Sequence, residues 1–201
     1  MENINKEQLK DILLNVRKAY RLLFEYQTKI LNLVKYIGNY FGYSEATGNP
    51  KFSKDCPKKN SKIDFDDWAW DWLIMYDYDF HFSSKRINDY NITFSVRIIS
   101  DTGYYDSNTK DKDELNPETF EPVETSKTKL VLIAGKKGWE KGYDKLFKNF
   151  SSKQNEYSIN KEDIIMFAKS YDLEDFIDED HTNEQLENFV QSCKRHGIII
   201  K

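Results

Sequence analysis

The chain has 201 residues, a net charge of −4 and 32% charged residues, yet 15% of it is aromatic. Chains that stay unfolded are poor in aromatics, so this one folds, and no apolar run reaches the roughly 20 residues that span a bilayer. The mild acidity gives no general attraction to nucleic acid or to an anionic membrane, so direct binding to either is not expected.

Charge is placed in blocks. Residues 1–62 hold 12 Lys/Arg against 6 Asp/Glu, residues 63–125 hold 5 against 15, residues 126–150 hold 7 against 2, and residues 151–201 hold 6 against 11. Blocks of alternating sign pair within a fold or across a partner's surface. The stretch from Met1 to Lys6 lacks the basic start and apolar core of a secretory signal. A cytoplasmic location is therefore expected, with Cys56 and Cys193 as reduced thiols.

Residues 5–42 predict one long helix. Leu9, Ile12, Val16, Ala19, Leu23, Tyr26, Ile30, Leu33, Ile37 and Tyr40 recur at alternating three- and four-residue spacing. Leu13, Tyr20, Val34 and Phe41 widen that stripe beyond a two-stranded coiled-coil seam. At 1.5 Å per residue the helix runs roughly 55 Å, against a radius of gyration near 15 Å for a domain of about 150 residues. Either the helix breaks near Gly38 and Gly42, or part of its face meets another chain. Self-association through residues 9–41 is the expectation taken forward.

Residues 43–63 read as a basic loop around Gly48-Asn49-Pro50 and Cys56-Pro57. Residues 68–82 alternate, and predict a strand from about Ile74 to Phe82, with a short helix as the other option for 64–73. A second strand is expected over 91–100, and a long loop over 106–126. The run Leu130-Val131-Leu132-Ile133-Ala134 reads as a central strand covered on both faces. Residues 143–150 suggest a short helix and residues 160–177 a longer one. Thr182 and Gln185 form a capping-box pattern for a last helix that stops at Gly197, and Ile198-Ile199-Ile200 suggests a short final strand. The expected fold is α+β: a long N-terminal helix, a three-stranded, mostly antiparallel sheet, and C-terminal helices. Residues 1–150 would form the α+β domain and residues 151–201 a small acidic helical segment.

Two functional readings follow. In the first, the chain is a protein-binding, accessory or inhibitor protein that needs no cofactor. Its interface is the acidic aromatic segment Asp64, Asp66, Asp67, Trp68, Trp70, Asp71 and Trp72, together with the long helix. Tryptophan is enriched at binding hot spots, and the acidity suits a partner protein with a basic nucleic-acid-binding surface. In the second, Asp77, Asp79 and His81 share one strand face and hold Mg²⁺ or Mn²⁺, with Lys129 assisting. The order helix, three strands, helix, strand is similar to the core of the PD-(D/E)xK nucleases, which implies a metal-dependent nuclease or phosphodiesterase. The similarity stops at that order, because no carboxylate stands two residues before Lys127 or Lys129. Ala134-Gly135-Lys136-Lys137-Gly138 lacks the spacing of a phosphate loop, and Asp178-Glu179-Asp180-His181 lacks the ligands of a zinc site.

Overall fold

The computed structural model describes residues 5–53, 69–107, 116–136, 146–147, 150–161 and 164–201. Helix α1 (Lys6–Tyr40) is unbroken for 35 residues. Its start is a capping box: the Asn5 side chain accepts from the Glu7 and Gln8 amides, and the Gln8 side chain accepts from the Asn5 amide. Its end is a Schellman turn. Gly42 takes the left-handed conformation (φ 74°), its amide reaches Asn39, and the Tyr43 amide reaches the Gly38 carbonyl. The helix therefore runs unbroken through Gly38 and stops just before Gly42.

Seven strands form one sheet: β1 (Ala46–Pro50), β2 (Asp77–Phe82), β3 (Lys85–Ile87), β4 (Tyr90–Ile99), β5 (Lys129–Lys136), β6 (Glu156–Lys161) and β7 (Ile164–Asp172). Their order is β1-β2-β4-β5-β7-β6, with β3 on β4 beyond the end of β2, and every pair is antiparallel. A four-residue helix α2 (Gly103–Asp106) follows β4, and helix α3 (Glu179–Arg195) closes the chain. The α+β class, the long N-terminal helix and the C-terminal helix are present as expected.

The sheet is larger than the three strands expected, and each correction has a local cause. β1 was hidden by its Gly-Asn-Pro. It is an edge strand, so Pro50 breaks no ladder, and Gly48 lies under the Tyr78 ring, where a Cβ would come within 2.3 Å. Within residues 160–177, expected to be helical, Asn160 and Lys161 end β6 and residues 164–172 form β7. In β7, Met166 and Ala168 face one layer while Phe167 and Tyr171 face the other, and a strand buried on both sides has no period to distinguish it from a helix. Ile198 and Ile200 are buried without forming a strand, because the Ile198 amide closes a second Schellman turn onto Cys193 at Gly197. No strand follows α3 among the described residues, so the short final strand expected at Ile198–Ile200 is absent.

Each sheet face has its own core. On one face Phe94, Val96, Ile98, Leu130 and Leu132 lie under Ile30, Val34 and Ile37 of α1 and under Leu186, Phe189 and Cys193 of α3. On the other, Ile99, Val131, Ile133, Met166 and Ala168 lie under Leu146, Phe147, Phe150 and Tyr157. Gly38 packs directly on the sheet, where an added Cβ would stand 2.6 Å from the Phe82 ring. Gly38→Ala should therefore lower the unfolding free energy by about 1–3 kcal/mol, although alanine is the better helix former. Denaturant unfolding checks this, and most of the loss should disappear in a Phe82→Leu background.

Candidate functional site

The alternation of β2 places Asp77, Asp79 and His81 on the sheet face away from α1. Arg97 of β4 stands opposite Asp79 in register and reaches Asp77, with Nε 2.7 Å from Oδ1 and Nη2 2.8 Å from Oδ2. The Asp79 carboxylate is 3.8 Å from the same Nε, so one guanidinium serves both acids. The Tyr105 hydroxyl donates to Asp77 and accepts from Arg97, and the Phe147 ring lies 4.5 Å from the guanidinium. Burial opposes the charge on Arg97, but Asp77, Tyr105 and Asp79 outweigh it and hold the side chain ionised.

This geometry corrects the metal-site expectation. Both oxygens of Asp77 are committed to Arg97, and a guanidinium stands between the two acids where Mg²⁺ or Mn²⁺ would have to sit. Lys129 is buried two strands away, about 10 Å across the sheet, and its ammonium pairs with Asp172 at 2.6 Å. Among the described residues, no three His, Cys, Asp or Glu side chains converge as ligands. Asp77, Asp79 and Arg97 form an ion-pair cluster inside the fold.

The tryptophan segment divides in two. Asp64, Asp66, Asp67 and Trp68 lie outside the described residues, as does the side chain of Asp71. Trp70, expected on the binding surface, is 5% exposed, with its ring 4.6 Å from Tyr76, 6.1 Å from Phe120 and 6.2 Å from Phe52. It is core because two single-turn 3₁₀ helices, Ala69–Trp72 and Ile74–Tyr76, replace the extended chain that the alternation implied. Trp72 is 57% exposed and forms, with Leu73, the outer edge of an aromatic ledge.

That ledge faces α1. The Tyr26 hydroxyl is 2.9 Å from Ser100 Oγ, which donates to the Met75 carbonyl, so helix, sheet end and ledge are tied at one point. Beyond this tie they diverge and leave a groove of about 890 Å³. Val16, Ala19, Tyr20 and Leu23 line one wall; Trp72, Leu73 and Met75 line the other. No residue from Lys6 to Lys29 is buried, and the first buried one is Ile30. Leu9, Val16 and Leu23 continue, at seven-residue spacing, the line that Ile30 and Ile37 bury against the sheet. Tyr20 and Phe24, beside that line, are each 72% exposed. The structure thus brings together two surfaces that the sequence presents separately. The tie that joins them, Tyr26 to Ser100, carries no sequence signal.

Arg97→Met should cost about 3–5 kcal/mol of stability by stranding Asp77 and taking the cation from Asp79, and Arg97→Met with Asp77→Leu should recover part of it; paired denaturation curves measure both. His81 gives a second check. Burial lowers its pKa, against the pull of Asp79 and with the push of Arg97. The unfolded chain then binds a proton that the folded chain does not, so the stability contributed is complete above about pH 6.5 and lost as pH falls below it. Subtracting the pH–stability curve of His81→Gln from that of the parent should leave a slope of this sign.

The chain belongs to the PM0109 family, whose model matches residues 6–198. The match begins at the first residue of α1, so the exposed stretch of that helix lies inside the region shared with the family. No curated protein and no solved structure matches the chain.

Proposed function

We propose that this member of the PM0109 family is a binding protein, and that the groove between α1 and the Trp72–Leu73 edge docks a helical segment of another polypeptide. The observation that carries this is the divided stripe of α1. Its C-terminal third is buried by the protein's own sheet, and the same line of side chains stands in water from Leu9 to Leu23. Helices in proteins draw most of their stability from packing of an amphipathic face, and contiguous exposed apolar patches above a few hundred Å² mark interaction surfaces.

The lining also supports binding over catalysis. Among the described residues, its protic side chains are hydroxyls (Tyr20, Tyr26, Tyr76, Ser100), the Gln27 amide and the Trp72 indole. Burial raises the pKa of Tyr26 and of Tyr76, which keeps both hydroxyls protonated. Such a groove selects by shape and apolar contact, with tryptophan as an anchor.

Leu23→Glu tests the reading, because residue 23 lies on the groove wall outside the folded core. In affinity purification after in-cell cross-linking, the parent chain should retain a protein partner in stoichiometric amount. Leu23→Glu should reduce that recovery at least about tenfold with an unchanged melting temperature for the body. Equal recovery with both chains, or a parent chain that retains neither another protein nor a second copy of itself, overturns the reading.

A further inference from the structure

Taking the docking reading as its premise, we propose that the occupant of the groove is the α1 arm of a second copy, packed antiparallel. Three observations lead there.

The first is orientation. The body of the protein covers the apolar stripe from Ile30 to Phe41, and the open part of the stripe continues along the same side of the helix. A second α1 lying parallel on that side would drive its own C-terminal third into this body. Turned antiparallel, it places its arm on the open part and its body beyond the N-terminal tip. The occupant then fills one groove and supplies a wall of the other, which makes the contact isologous.

The second is register. In an antiparallel pair of helices with this spacing, each position of one seven-residue series faces a position of the other. Centring the pair between residues 17 and 18 sets Leu9 against Tyr26, Ile12 against Leu23, and Val16 against Ala19, apolar against apolar at every level. Leu9 of the second copy then reaches the tie at Tyr26 and Ser100, and Trp72 and Leu73 flank its arm. Lys10, Arg17, Lys18 and Arg21 project from the opposite side of the helix and stay in water.

The third is area. On the seam side, Leu9, Ile12, Val16, Tyr20 and Leu23 present on the order of 400 Å² of apolar surface per copy, and Trp72 with Leu73 adds roughly 200 Å², so each partner buries about 600 Å², the lower end of what a specific complex buries.

The test is made on the full chain in a Cys56→Ser background. Sedimentation equilibrium should give twice the 23.9 kDa chain mass, and Leu23→Glu should return it to the single mass with its helical circular dichroism retained. Under mild oxidation, Leu9→Cys combined with Tyr26→Cys should form a covalent dimer, and each single variant should not, because like residues then lie about 25 Å apart along the helices. A parent chain of single mass overturns the proposal, as does a dimer that Leu23→Glu leaves intact. Cross-linking of Leu9→Cys alone overturns the antiparallel arrangement. A monomer that holds a different protein in the groove overturns the second copy and leaves the docking reading standing; a monomer with no partner overturns both.

Discussion

One line of side chains on α1 organises this protein. From Ile30 to Phe41 it is the roof of the larger core, pressed onto β2 and β4 so closely that position 38 has room only for glycine. From Leu9 to Leu23 the same line is exposed. A helix is rigid enough to carry an apolar stripe past the edge of the domain that nucleates it, and the capping box at Asn5 keeps the far end from fraying. The body thus pays the cost of ordering the arm, and the arm offers its apolar face preformed. A preformed face binds with less loss of conformational freedom than a segment that must fold on contact.

The second sheet face shows how the protein contains its charge. The acidic middle of the chain looks like a ligand set until β4 is placed beside β2. Arg97 then answers two aspartates at once, and Tyr105 and Phe147 complete its surroundings. Removing either partner would leave a buried ion without its counter-charge, which makes the cluster a fastening of β2 to β4. That fastening matters to the groove, because β2 runs directly on from the ledge that carries Trp72 and Met75.

Much of this was legible beforehand, and the unread parts have physical reasons. The long helix, its stripe and the mismatch between its length and the domain follow from spacing alone, as does the central position of β5. β7 reads as a helix because burial on both faces erases the alternation by which a strand is recognised. β1 reads as a loop because glycine and proline, which punctuate most chains, here occupy an edge strand under Tyr78. Asp77, Asp79 and His81 were correctly placed on one face, but their partner is 18 residues beyond Asp79, and only strand register shows that Arg97 arrives between them. The division of the tryptophans into a buried Trp70 and an exposed Trp72 depends on two turns of 3₁₀ helix that interrupt the apparent strand.

The central claim is that the stripe from Leu9 to Leu23 works by being covered by another polypeptide chain. Hydrogen–deuterium exchange of the full chain, followed over a dilution series, tests this most directly. The account predicts that amides in residues 9–26 are protected at high concentration and lose protection together on dilution, while those of β4 and β5 stay unchanged. Exchange in residues 9–26 at one rate across the whole series, with nothing else bound, would contradict it.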